Sequence, residues 1–166
     1  MPNLVELPSW DEQGRLRVVV ETPRGSAFKV RYDAATQTFE YQRKLRDLHY
    51  PHDWGFIPGT IAEDGDPLDA LVLHDETTWP GIVVASEPLA LLKIRDRKAG
   101  AERELQNDRV IAVPFAEKAG RVLTLEKRRE LEGFFQAAAA PSKHVHLLGW
   151  GDADEARAAV LRASVR

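Results

Sequence analysis

From Arg15 to Pro114 apolar residues alternate with polar ones or gather in β-branched runs, and helical spacing begins only after Thr124. That order restricts the fold more than any other feature. Strands first and helices last describe a small β barrel or curled sheet with helices on its outside. They oppose a doubly wound parallel sheet, which needs helices between its strands. RLRVVVETP (15–23), AFKVRYD (27–33) and QTFEYQR (37–43), separated by RGS and AAT, read as a strand meander. DALVLH (69–74), GIVVASEPLALLKIRD (81–96) and DRVIAVP (108–114) are further strands, the second too long to stay straight and bent near Pro88. RKAGAERELQN between them is a polar loop. LEKRRELEGFFQAAAA is a helix with Thr124 as its N-cap, with Leu125, Leu131, Phe134, Phe135 and Ala138 near one face and Pro141 as its stop. KHVHLLGW is a late strand, and DADEARAAVLRASVR is a last amphipathic helix that opens with Asp152 and Glu155 at capping-box spacing. No repeat or linker divides the chain, so residues 1–166 are expected to form one domain.

The chain has 166 residues and no cysteine, which excludes a disulfide framework, thiolate zinc, iron–sulfur ligation and a cysteine nucleophile. A reducing compartment fits, and the cytoplasm is the expected location. The N-terminal MPNLVELPSWDEQGR lacks a basic start and an apolar core, and no apolar stretch approaches the roughly 18 residues of a membrane span. No membrane partner is expected. A net charge of −3 with both signs interspersed gives no general pull toward nucleic acid. Trp54 has no basic stripe beside it, so a nucleic-acid-binding barrel is disfavoured too. Any anion must be held by a local group of cations.

EDGDPLDALVL (63–73) sets Asp64, Asp66 and Asp69 around a glycine and a proline at the mouth of a strand. Close carboxylates repel one another, and burial raises their pKa, so such a cluster costs stability unless a cation or a solvated turn relieves it. Pro67 biases Asp66 toward an extended conformation, and the three acids can converge. Oxygen-only ligands suit Mg²⁺ or Mn²⁺, whereas the spacing does not fit a calcium EF-hand. A plain Asp/Gly/Pro surface turn is the alternative. Glu21, Asp96 and Asp108, together with Lys29, Arg31, Arg43 and Arg109, lie in or at the ends of neighbouring strands. Carboxylates for metal and cations for phosphate are the parts of metal-assisted phosphoryl transfer. No Walker loop or dinucleotide-binding glycine pattern is present.

DGDPLDA (64–70) fits the D-x-D-P-x-D-x signature of the soluble family I inorganic pyrophosphatases, and the chain resembles a divergent member. VVVETP, FKVRYD, EYQRKL, YPHDWGFIPGT, LLKIRD, VIAVP and LLGWGDADEA follow in the order of that family's landmarks, over roughly residues 15–160. The resemblance implies a five-stranded OB-like β barrel with flanking C-terminal helices. It also implies a Mg²⁺ cofactor with Mn²⁺ as substitute, pyrophosphate as substrate, and a homo-oligomer, a hexamer in bacteria. By position, Asp64, Asp69, Asp96, Glu21 and Asp108 would serve the metals, and Asp66 would accept the proton of the attacking water. Lys29, Arg43 and Arg109 would clamp phosphate, and Tyr50 would order the site through its hydroxyl.

Departures from the family pattern gather around the same site. Arg31 replaces a glutamate, Trp54 a tyrosine and Arg109 a lysine. Asn107 takes an aspartate position, with Asp108 one residue late; a bulge before it could restore Asp108 to the site. Ala137–Ala140 stand where the family helix carries a phosphate-binding tyrosine–lysine pair, for which Arg31 or Lys143 could substitute. The expected function is Mg²⁺-dependent hydrolysis of pyrophosphate, weakened by these changes. The alternatives are a metal-dependent phosphohydrolase with a changed substrate and a non-catalytic relative that binds phosphate or a partner. His144 and His146 read as a strand-surface pair, His49 and His52 flank Tyr50, and Trp10, Trp79 and Trp150 read as packing or interface residues.

Overall fold

The computed structural model describes residues 2–165. Its strands are β1 (Leu16–Thr22), β2 (Phe28–Asp33), β3 (Thr38–Lys44), β4 (Asp53–Ile57), β5 (Leu68–Val72), β6 (Val83–Lys98), β7 (Leu105–Gln106), β8 (Arg109–Pro114) and β9 (Lys143–Gly151); its helices are α1 (Leu125–Ala138) and α2 (Ala153–Ala163). Strands pair in the order β1-β4-β5-β8-β6, and β6 pairs back onto β1, which closes a five-stranded barrel with no free edge among those strands. Among the described barrel strands only β5 and β8 run parallel. The expected OB-like barrel with C-terminal helices is therefore the observed architecture.

β6 runs for 16 residues and serves β1, β8, β7 and β9 in turn, with a register shift between Pro88 and Ala90 that supplies the expected bend. The expected meander of the first three strands is not found. β2 and β3 form a separate two-stranded sheet. At the end of β1, the Thr22 hydroxyl donates to the Val30 carbonyl at 3.0 Å and accepts from the Val30 N–H at 3.0 Å, so a side chain replaces the ladder that would have joined β1 to β2. β4 closes the barrel in place of that meander.

Period two sorts the barrel side chains into two cores. Leu16, Val18, Ile57, Ala70, Leu91 and Val110, from all five strands, pack together with Ala156, Ala159 and Val160 of α2. On the opposite face, Trp54, Leu71, Leu92, Ile94 and Ile111 pack under Leu131, Phe134 and Phe135 of α1. Leu125, expected on the buried face of α1, is instead 63% exposed. The capping box of α2 is formed as expected. Asp152 accepts from the Glu155 N–H at 2.9 Å, and Glu155 accepts from the Asp152 N–H at 2.8 Å. Asp152→Ala is expected to cost about 1 kcal/mol, read by denaturant midpoint at unchanged m-value.

Candidate active site

Asp69 lies two residues before Leu71, Arg109 two before Ile111, Asp96 two after Ile94, and Glu21 two after Val19. The alternation that buries the apolar members under α1 or the β2–β3 hairpin therefore carries the charged ones to the same outer face, in the gap between those two covers. β5 and β8 are in parallel register with Asp69 opposite Arg109, and the Arg109 Nη1 donates to Asp69 Oδ2 at 2.7 Å. A cavity of about 670 Å³ opens there. Its acidic lining is Asp64, Asp66 and Asp69, Glu21 of β1, and Asp33 and Glu40 of the β2–β3 hairpin; Lys29, Arg31, Lys98, Arg109 and Lys143 line it too.

Each acid has a distinct setting. Glu21 is buried and accepts the Tyr32 N–H at 2.9 Å; burial, reinforced by the nearby Asp69 charge, pushes its pKa up to about 7. Burial also raises Asp69, against the pull of Arg109 and Lys29. Asp64 accepts the Asp66 N–H at 3.0 Å, an Asx-type turn completed by Gly65 at φ 87°, where a side chain would be strained. That turn aims Asp66 outward, where Oδ1 meets the Arg31 Nη2 at 3.1 Å. The three aspartates of the DGDPLD turn thus line one cavity without meeting in one cage. Among the described residues no group of three or more His, Cys, Asp or Glu is spaced to hold a metal by itself.

Asp108, expected to serve the metals, lines neither this cavity nor the smaller one beside it. Its Oδ1 accepts the Ile94 N–H at 3.0 Å and its Oδ2 accepts the Gln106 amide at 2.7 Å, so both oxygens are engaged on the far side of the strand. No bulge restores it to the site. Asn107 points there instead. Its amide donates to Asp96 Oδ2 at 2.7 Å, and its side-chain oxygen accepts from the Arg109 guanidinium. Asp96 also pairs with Lys143 at 3.5 Å, and it lines a second, smaller cavity rather than the larger one.

That second cavity, about 210 Å³, holds Arg43 and Tyr50. Arg43 donates to the Ala138 carbonyl at the end of α1. Tyr50 packs edge-on against Phe134, with ring centroids 5.1 Å apart, and burial raises its phenol pKa, which keeps it neutral. Lys29, Gln42, Trp54, Arg109 and Lys143 line both cavities. Burial lowers the Lys29 pKa, opposed by Asp69, and among the described residues its ammonium has no hydrogen-bond partner. Two of the sequence departures prove to be one feature. The Arg109 guanidinium lies over the Trp54 ring at 5.1 Å and the Phe135 ring at 5.8 Å, a stacking that a planar cation makes better than an ammonium.

Gln42 was not expected at the site. Lys29 pairs with Arg43 and Val30 with Tyr41, so Gln42 is the extra residue of a bulge that re-aims it. A hairpin register slip of this kind leaves no mark in the alternation. The histidines stay outside both cavities: His146 pairs with Glu104, and the His52 ring faces the Lys127 ammonium at 3.3 Å. Trp10 stacks under Arg157, Trp150 donates to Glu132 at 2.8 Å, and Trp79 is exposed.

A family model described as inorganic pyrophosphatase matches residues 18–166. The inorganic pyrophosphatase of Methanosarcina acetivorans is 37% identical over 147 residues, 84% of each chain. That of a Nostoc strain is 32% identical over 166 residues, 95% of each. The solved structure of inorganic pyrophosphatase from Thermus thermophilus superposes with a TM-score of 0.84 at 33% identity, covering 98% of this chain and 97% of that one. With its closed barrel, its acid-and-cation cavity and these similarities over nearly its whole length, the chain belongs to the inorganic pyrophosphatase family.

Proposed function

We propose that this chain, acting as a single domain, hydrolyses inorganic pyrophosphate to two phosphates with Mg²⁺, for which Mn²⁺ can substitute. The observation that carries this reading is one cavity lined both by carboxylates, Asp64, Asp66 and Asp69 of the DGDPLD turn with Glu21 of β1, and by cations on β2, β6, β8 and β9. The donor set fits a hard cation. Mg²⁺ is usually held by one or two carboxylates with waters and phosphate oxygens completing its shell, so it needs no three-carboxylate cage. Glu21 and Asp69, both raised by burial, are acids whose charge a divalent cation would relieve. Asp64 and Asp69, with Glu21 and Asp96 further along the face, are the residues assigned to hold it.

The bound metal supplies positive charge that acidifies a water and offsets charge on the phosphates. Asp66, solvated and out on its turn, takes the water's proton. Lys29, Arg43, Arg109 and Lys143 hold phosphate oxygens; Lys143, which lines both cavities, stands in for the cation missing from Ala137–Ala140. Arg109 is fixed for this role by Asp69, Asn107, Trp54 and Phe135. Tyr50, neutral and wedged against Phe134, orders the wall behind Arg43. The same reading includes a homo-oligomer, a hexamer by family resemblance, supported by the exposed apolar Leu125, Leu148 and Leu161. It also includes a cytoplasmic setting, supported by the absence of cysteine.

Purified protein given Mg²⁺ or Mn²⁺ and pyrophosphate is expected to release phosphate; none above an Asp66→Asn control, across neutral to alkaline pH, overturns the reading. Asn107→Asp separates metal holding from turnover. Without metal it replaces the amide donor to buried Asp96 with a like charge, expected to cost about 1–3 kcal/mol. With saturating Mg²⁺ the melting temperature should rise more than in the parent chain, because a carboxylate is the better ligand. Equal Mg²⁺-induced shifts in the two proteins count against a metal beside position 107.

A further inference from the structure

Period two places Arg31 beside Lys29 on the cavity-lining face of β2, while Val30 and Tyr32 alternate with them and are buried. The acids of its own hairpin are already engaged. Asp33 accepts the N–H groups of Ala35 at 2.8 Å and Thr36 at 3.1 Å, and Glu40, across from Arg31 on β3, accepts the Thr38 hydroxyl at 2.9 Å. Arg31 reaches past them to the DGDPLD turn and meets Asp66 Oδ1 at 3.1 Å. Among the described residues that is the one hydrogen bond either side chain makes. The turn does not depend on it. The Ala62 N–H donates to the Asp66 carbonyl at 2.7 Å, the Gly65 N–H to the Ala62 carbonyl at 3.0 Å, and the Asp66 N–H to the Asp64 carboxylate at 3.0 Å. The two side chains can therefore part while both backbones stay in place.

An ion pair whose partners are both more than half exposed is weakly held. A guanidinium has five N–H donors and meets a phosphate through two parallel bonds, which are shorter and stronger than a single solvated contact. A phosphate resting on Lys29 lies within reach of Arg31 and is its better partner. We propose that Arg31 is a substrate-exchanged cap on Asp66: it pairs with the carboxylate before substrate arrives and passes to the phosphate nearest Asp66 when pyrophosphate binds. The proposal rests on the pyrophosphatase reading of this cavity, which gives Arg31 no part. Exchange ties the base to occupancy. Asp66 is uncapped only when the phosphate it serves is in place, and the cation that leaves it then offsets charge on that phosphate. Until then the pair screens a carboxylate that would repel the incoming anion.

The test is calorimetry with Mg²⁺ and methylenediphosphonate, an uncleaved analogue of pyrophosphate, on the full chain, Arg31→Ala, Asp66→Ala and the double variant. Both side chains are well solvated, so each variant should keep the parent's melting temperature. Arg31→Ala is expected to weaken analogue binding roughly tenfold, the lower end of what a hydrogen bond to a charged group contributes, and to raise KM for pyrophosphate by a similar factor. Asp66→Ala removes a carboxylate and should tighten binding of the anion whether or not Arg31 is present. Under exchange the tightening is larger with Arg31 present, by about twofold to fivefold, because no pair has to be broken first. Both results are required. Arg31→Ala binding within about threefold of the parent, or a tightening equal or smaller with Arg31 present, overturns the proposal. So does an Arg31→Ala enzyme that loses kcat at unchanged KM, which marks a residue that only orients Asp66. Each of these leaves the pyrophosphatase reading intact as long as the parent cleaves pyrophosphate. If the parent does not cleave it, that reading fails, and the binding cycle still decides whether Arg31 exchanges; an analogue that the parent does not bind ends the proposal.

Discussion

Asp66→Asn is expected to lower kcat for pyrophosphate by about 10²–10⁴-fold, the usual contribution of a positioned base. The substitution keeps the size of the side chain and an acceptor oxygen for Arg31 while removing the ability to take a proton. It should leave the fold almost untouched. Asp66 and Arg31 are each more than half exposed, at 55% and 54% of the side chain, and an ion pair so well solvated is worth at most about 1 kcal/mol. A large rate loss with an unchanged melting temperature therefore reads chemistry and not unfolding. Asp64→Asn gives the contrast: as an assigned metal ligand, it should shift the Mg²⁺ concentration needed for half-maximal rate, while saturating Mg²⁺ restores much of the turnover. An Asp66→Asn enzyme within tenfold of the parent would assign the base to another of the carboxylates that line the cavity.

The barrel was legible because a strand buried on alternate residues writes its period into the chain. β6 carries that period, β1, β5 and β8 carry the continuous apolar runs of strands buried on both faces, and the Pro88 bend and the two helix caps lie where Pro, Thr and Asp predict them. The site was legible where it follows from the same rule. Asp69 and Arg109 meet because each sits one strand step before a core residue, and a parallel register sets them side by side. What stayed hidden depended on pairing between distant segments. Whether Asn107 or Asp108 faces the cavity is decided by which of them bonds the β6 backbone, and the Ile94 N–H takes Asp108. The position of Gln42 depends on a bulge, and the pairing of Arg109 with Trp54 on two strands that are not adjacent in sequence. β4 carries no such signal. Pro51 and Pro58 bracket DWGFI and Gly55 interrupts it, so local turn chemistry outweighs the strand signal in a segment whose five residues are all buried.

That glycine is where the barrel closes most tightly, and Gly55→Ala is expected to cost about 3 kcal/mol, lowering the melting temperature by roughly 6–12 °C. Gly55 pairs with Val20 beside the bulge that shifts β1 between Val20 and Thr22. A Cβ there would lie 1.9 Å from the Val19 carbonyl oxygen and 2.8 Å from its carbon. Both are backbone atoms of a strand held on its other side by β6, so neither can swing away as a side chain would. Relief requires β4 to part from β1, which loosens the barrel seam and moves Trp54, the ring beneath Arg109. Activity should therefore fall together with stability in Gly55→Ala, in contrast to Asp66→Asn, where rate alone is lost. Thermal unfolding with and without Mg²⁺ checks it: a Gly55→Ala melting temperature within about 2 °C of the parent would mean that β1 yields at its bulge and that the seam is softer than the contact distances imply.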